Sequence, residues 1–234
     1  MSDNFASLKK LLAQHAQASS YNAQMFFKTE PGSYGAHDKF LGIKNPVLRA
    51  LAKQFKDISY EEIVELLKSE YNEERLLALF FLVDHYDRGD RLEKEKVFEL
   101  YVQHMDQVNN WNLVDCSAYC IVGAHTYAGF ASSDFLYELI GSKSLWRRRI
   151  GMVSTWFFIR KSSTELTMQL AAKLLKDQHD LMHKAVGWML REAGKKDESA
   201  LRLFLDQHAK SMPRTMLRYA LEKFPEQDRK KYMA

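Results

Sequence analysis

The sequence predicts an all-α chain, organised as an α–α superhelix (a solenoid) of stacked helical pairs. Three observations predict it. Apolar residues recur at three- and four-residue spacing through nearly every segment, which is the periodicity of amphipathic helices. Only 10 Gly and 4 Pro occur in 234 residues, too few for the many turns of a sandwich or barrel. Comparable positions on successive helices return at steps of 35 to 37 residues. With 46% hydrophobic and 27% charged residues the composition is that of an ordinary folded protein, and a single domain over residues 1–234 is expected.

Taken in order, Phe5, Leu8, Leu11 and Leu12 open the first helix. The segment Lys28–Phe40, with Pro31, Gly32 and Gly35, breaks the pattern and reads as a loop, long for a compact domain and therefore a functional candidate. Asn45-Pro46 starts the next helix, with Asn as N-cap and Pro at the first helical position. Ser59 ahead of Tyr60-Glu61-Glu62 is a further cap, its acidic residues favoured by the helix dipole. Leu76–Val83 is the longest apolar run and falls far short of a membrane span. Start signals return at Ser132/Ser133-Asp134, at Ser162/Ser163 before Glu165, and at Ser211-x-Pro213.

Arg75, Asn112, Arg149 and Lys184 fall at like places in successive helices, with steps of 37, 37 and 35, and about thirty more residues lead to Arg214. Such a period indicates HEAT-type helical pairs. One pair cannot bury its apolar stripe alone, so neighbours stack into a continuous core and curve, leaving a concave face lined by equivalent helices.

Composition also narrows the function. The two cysteines, Cys116 and Cys120, exclude a disulfide framework. The N-terminal MSDNFASLKKLLAQHA is amphipathic and has no apolar core of a secretion signal, so a cytoplasmic location and no membrane partner are expected. The net charge of +4 conceals an uneven distribution: residues 1–117 carry 14 basic and 18 acidic side chains, a net of −4, while residues 118–234 carry 20 and 12, a net of +8. A one-sided potential steers polyanions. Trp146 beside Arg147, Arg148 and Arg149 places stacking and basic groups together, which suits nucleic acid better than a lipid surface. Chance unevenness of solvated helix faces is the competing explanation.

The period also brings unusual residues into register. Trp111 and Asp115 are four apart and share a helix face; Arg149 heads the next repeat's helix; Trp188 stands four after Lys184 in the one after that. Two indoles, a carboxylate and a guanidinium are thus expected around one patch of a basic groove. Each has an alternative: the tryptophans as core residues, Asp115 as a structural partner of Arg149, and the arginine run as a solvated face. Asp115 nevertheless lies within Leu113-Val114-Asp115-Cys116, where an acid is costly unless paired or used. A metal site is not expected. His179-Asp180-Leu181-Met182-His183 lacks the glutamate of H-E-x-x-H, and Cys116, Cys120 and His125 make at most a partial set.

The stretches Phe26–Lys53, NNWNLVD at Asn109–Asp115, LWRRRIGMVSTW at Leu145–Trp156 and KAVGWMLREAGK at Lys184–Lys195 resemble the motifs of the AlkD-like family of bacterial DNA alkylation repair proteins. The likeness covers about residues 20–200. It implies a HEAT-like fold and a monofunctional DNA glycosylase that excises N3- and N7-alkylated purines without a cofactor. On this resemblance Trp111 and Trp188 are the sugar-contacting tryptophans, Asp115 the catalytic acid and Arg149 the active-site arginine. Asn112 departs from the family's more usual Asp at that place, and the long glycine-containing loop belongs to one branch only.

That chemistry suits the residues. An N3- or N7-alkylated purine is cationic and leaves without a general acid, so one carboxylate suffices where glycosidases need two. Asp115 would stabilise the sugar cation and direct water; indole faces would attract the same cation; Arg149 would hold a phosphate or orient Asp115. The resemblance further implies gripping of the sugar in place of a tight base pocket, hence weak activity on uncharged lesions such as uracil. Duplex DNA is the expected partner of a monomer, bound through Arg148, Lys184, Arg191, Lys195, Lys196, Arg214 and Arg218 without sequence preference and with steep salt dependence. The rival reading is a non-catalytic helical-repeat scaffold for DNA or protein.

Overall fold

A computed structural model of the chain describes residues 2–18 and 26–234. Among these residues every regular element is helical; the only β-type pairing is one isolated parallel bridge between Lys39 and Tyr71. The all-α, solenoid-like helical-repeat class is the one the apolar spacing predicts. No helix among the described residues is long and apolar enough to cross a membrane. The chain divides into two compact units, Met1–Ser117 and Ala118–Ala234. The division falls where the charge changes sign, so the first unit carries the net −4 and the second the net +8.

In the first unit, α1 (Asp3–Ala18) buries Phe5, Leu8 and Leu12, the i, i+3, i+7 stripe of one helix face. Helix α2 (Asn45–Gln54) keeps Pro46 in its first turn, but its N-cap is Lys44 and not Asn45, and no side chain bonds the free N–H groups there. Helix α3 (Tyr60–Leu67) has the full capping box: Ser59 Oγ accepts from the Glu62 N–H, and the Glu62 carboxylate accepts from the Ser59 N–H. Helix α4 (Asn72–Arg88) is buried from Asn72 to Leu82, because α2, α3 and α5 (Arg91–Gln103) pack around it. That contact on all sides explains the unbroken apolar run, which a one-sided helix would not carry. The unit closes with α6 (Trp111–Ala118).

The Lys28–Phe40 loop and its continuation to Lys44 are irregular and are fastened by two buried acids. Asp38 accepts from Arg75, Asn72 and Asn110. Glu73 accepts from the backbone N–H groups of Leu41 at 2.9 Å and Gly42 at 2.8 Å. Burial raises the Glu73 carboxyl above the ordinary glutamate value of 4.5, and the loop N–H groups offset only part of that. A carboxyl raised in the folded state contributes stability that is complete below the unfolded value and is lost as pH rises through the folded one. The wild type is therefore expected to lose stability relative to Glu73→Gln as pH rises from 4.5 through the raised value of the folded state. Urea midpoints of the two proteins that move in parallel over this range would contradict it.

In the second unit, a π-helical turn (Tyr119–Gly123) follows α6 directly and continues into α7 (Ala124–Tyr127). A Cβ at Gly123 would stand 2.2 Å from the Ser154 carbonyl oxygen, so only glycine allows α9 (Leu145–Arg160) to lie against the π turn. Helix α9 is the centre of this unit, buried from Arg149 to Thr155 between α8 (Asp134–Ile140), α10 (Glu165–Lys173) and α11 (Asp180–Gly194). Helix α11 packs in turn on α12 (Glu198–His208) and α13 (Arg214–Ala220), and α14 (Glu226–Met233) ends the chain. Ser133 caps α8 as expected, whereas the caps of α10 and α13 shift to Thr164 and Pro213; none of the three makes a side-chain bond. Arg75, Asn112, Arg149, Lys184 and Arg214 all lie in the opening turns of α4, α6, α9, α11 and α13, as the period requires.

Candidate active site

Helix α6 sorts its residues by face. Leu113, Val114, Ser117 and Ala118 are buried, whereas Trp111, Asn112, Asp115 and Cys116 are half-buried and form a stripe at i, i+1, i+4, i+5. Asp115 is therefore not an acid forced into the core. Leu113 and Val114 before it face the packed side, and Asp115 is half-buried one turn beyond Trp111. Asn110 Oδ1 accepts from the Trp111 N–H at 2.7 Å, which fixes the start of the helix.

The Trp111 indole is held by the loop. Its ring lies 5.1 Å from Phe27 with 21° between planes, and Phe27 lies 4.8 Å from Phe40 at 27°, giving three rings in a stack. Asn112 pairs with Asn72 by reciprocal amide hydrogen bonds, the shorter 2.7 Å. None of Phe27, Phe40 or Asn72 is flagged by the spacing argument. The sole hint is the aromatic and glycine content of the loop itself, since the partners are up to 84 residues from Trp111 in the chain.

In the second unit, Trp188 is half-buried on α11 and packs on Trp156 of α9, ring centres 5.2 Å apart; Trp156 packs on Tyr119 at 4.5 Å. The Arg160 guanidinium lies 5.9 Å from the Tyr119 ring centre. Trp188 is thus one ring of a trio that sequence reasoning misses. Trp156 stands seven residues, two helical turns, after Arg149, and that spacing is the signal that would have found it.

The arginine run separates as three successive helical residues must. Arg149 is 5% exposed and its Nη1 donates to the Leu181 carbonyl at 2.6 Å, which joins α9 to the first turn of α11. Arg148 is taken up by Asp177, with Nε to Oδ2 at 2.6 Å, and by the carbonyls of Ser142 and Lys143. Among the other basic candidates, Lys184 pairs with Asp180, Arg191 with Glu192 and Glu222, and Lys195 with Glu192. Arg214 donates to the Met233 carbonyl. Lys196 and Arg218 are exposed and have no side-chain partner among the described residues. Arg191, Lys195, Lys196 and Lys223 border a depression of about 430 Å³.

His179 caps α11, its Nδ1 accepting from the Leu181 N–H, and His183 Nε2 bonds the Asp177 carbonyl. His125 is buried edge-on against Phe130. No cluster of three His, Cys, Asp or Glu with metal-binding geometry exists among the described residues.

The family model described as DNA alkylation repair enzyme matches residues 8–224, and the chain belongs to that family. Family membership implies an enzyme and DNA as its partner. Among solved structures it is similar to one described as a predicted DNA alkylation repair enzyme from Enterococcus faecalis. The two are 16% identical, with a TM-score of 0.65, over 82% of this chain and 92% of that one, a likeness that shows the fold. No curated protein matches the chain.

Proposed function

We propose that the protein is a monofunctional DNA glycosylase that releases cationic N3- and N7-alkylated purines from duplex DNA by hydrolysis of the N-glycosidic bond. The observation that carries this reading is the α6 stripe. It sets a half-buried acid one turn from an indole whose ring is braced by two phenylalanines. A developing sugar cation is stabilised by a fixed carboxylate and by an aromatic face, and a leaving group that is already cationic needs no protonation. Asp115 supplies the carboxylate and directs the attacking water. Trp111 and Trp188 supply the aromatic faces. Arg149, through Leu181, holds the helix that bears Trp188. The decisive test is incubation with duplex DNA containing 7-methylguanine, followed by alkaline cleavage at abasic sites. Strand breaks at the lesion are expected; DNA that is bound and left intact would favour the scaffold reading.

DNA is held in this reading by the basic second unit, with Lys196 and Arg218 as phosphate contacts. Arg148, Lys184, Arg191, Lys195 and Arg214 are next in order, since a phosphate must compete with their present partners. Affinity should fall linearly on a logarithmic salt scale. Loss of Lys196 or Arg218 should lower the slope by about one each, with no change in sequence preference. Fluorescence anisotropy over a salt series reads this directly, and an unchanged slope would remove both residues from the interface. A monomer in the cytoplasm, associated with the nucleoid when on DNA, completes the reading.

A further inference from the structure

The face of α9 that bears Arg149 continues to the end of the helix. Positions 149, 156 and 160 are seven and four residues apart, whole turns to within about 20°, so Arg149, Trp156 and Arg160 share that face. Trp156 stands between Trp188 of α11 and Tyr119 of the π-helical turn, with ring centres 5.2 and 4.5 Å away. The ring planes are inclined by 59° and 53°, and the rings touch, so no flat base enters between them. The backbone approach at Gly123 holds the π turn on α9 and with it the Tyr119 ring.

Arg160 ends this line. It is exposed, and its guanidinium carbon lies 5.9 Å from the centre of the Tyr119 ring. Among the described residues it has no carboxylate partner and no hydrogen-bond acceptor. Other basic residues of this unit are committed differently: Arg148, Lys184, Arg191 and Lys195 each pair with a carboxylate. A ring face holds the Arg160 arm and leaves all five N–H donors unused. A planar fork with open donors matches the paired oxygens of a phosphodiester, and the net +8 of this unit favours such an anion. The dipole of α9 also favours a cation in its last turn, but that role needs charge alone and no ring beneath it.

We propose that Arg160, seated on Tyr119, contacts a backbone phosphate of bound DNA at a fixed reach from Trp188, with Trp156 as the spacer. The position of that phosphate relative to the lesion rests on the glycosylase reading, which puts the reacting sugar at Trp188; the phosphate contact itself does not. End to end the three contacts span at most about 16 Å, so at 3.4 Å of axis per nucleotide the phosphate lies within about five nucleotides of the lesion.

Fluorescence anisotropy with undamaged duplex over a salt series tests the contact. Arg160→Gln should lower the slope of log affinity against log salt by about one, and Arg160→Lys, which keeps the charge, should restore it. Tyr119→Leu should weaken binding in the wild-type background and add nothing in Arg160→Gln; Tyr119→Phe, which keeps the ring, should recover most of the loss. Circular dichroism melts establish that the variants are folded. The reach is read in Asp115→Asn, which leaves the lesion in place, by exchanging single phosphates for methylphosphonates on both strands around a 7-methylguanine. One exchange within about five positions of the lesion should weaken binding several-fold when Arg160 is present and have no effect in Arg160→Gln. An unchanged slope in folded Arg160→Gln overturns the contact, and a lower thermal midpoint without a change of slope would make Arg160 a complement to the helix dipole only. Fully additive losses in Arg160→Gln and Tyr119→Leu overturn the seat on the ring. Where the wild type releases base, the same sensitive phosphates with and without Arg160 overturn the proposal as well. An Arg160-dependent slope in a wild type that releases no base would sink the glycosylase reading and leave the contact standing. Base release with a slope that ignores Arg160 would do the reverse.

Discussion

Asp115→Asn should lower base release by about 10²–10³-fold in single-turnover experiments on DNA containing 7-methylguanine. Asn keeps the shape and loses the charge, so only an interaction with a developing cation suffers in full. The position is favourable for this test. Asp115 lies on the accessible stripe of α6, while Leu113, Val114 and Ser117 form the packed face, so the substitution creates no cavity and buries no new group. The thermal midpoint and the affinity for undamaged duplex should therefore stay close to wild type. A variant that releases 7-methylguanine at the wild-type rate would remove Asp115 from the chemistry, and with it the proposed mechanism. A variant that loses binding in parallel with release would make Asp115 a structural residue.

The helical class was legible because 3.6-residue periodicity is a local property, present in each segment before any packing. Caps were less so. Asn45 has the right chemistry for an N-cap, yet Lys44 takes that position, since Pro46 already fixes the entry and needs no side-chain bond. The two-unit division was not marked by any Gly- or Pro-rich linker, because helical segments follow one another from Trp111 to Tyr127; only the change of charge falls at the same point. At the site, the four-residue spacing of Trp111 and Asp115 put both on one stripe. Asp115 is half-buried, while Leu113 and Val114 beside it are buried, because residues adjacent in sequence face different sides of a helix. The arginine run shows the limit of composition: Arg148 and Arg149 are one residue apart, yet one clamps Asp177 and the other reaches Leu181. The Phe27, Phe40 and Asn72 contacts depend on where a loop without periodicity returns to the helices, and nothing local encodes that.

Asp38→Ala should destabilise the chain by about 3–5 kcal/mol, the range for breaking a buried ion pair from one side. The Asp38 side chain is fully buried and pairs with Arg75, which is itself 4% exposed. Two amides, Asn72 and Asn110, also donate to it, and His37 stands 3.4 Å away. Truncation leaves a guanidinium out of water with the Ser69 carbonyl, at 2.7 Å, as its remaining acceptor among the described residues, and strands two amide N–H groups. Asp38→Asn should not rescue it, because its amide would turn a donor towards donors. Adding Arg75→Met should recover a good part of the loss by removing the uncompensated charge, whereas two independent sites would simply add. The effect should also reach function. Asn110 links Asp38 to the Trp111 N–H, and the same network ties down the loop that carries Phe27 and Phe40. Urea unfolding gives the stability term, and base release well below the unfolding transition gives the second. If Asp38→Ala unfolds within about 1 kcal/mol of wild type, the loop must be held by the Glu73 contacts and the aromatic stack instead, since either would survive the loss of the aspartate.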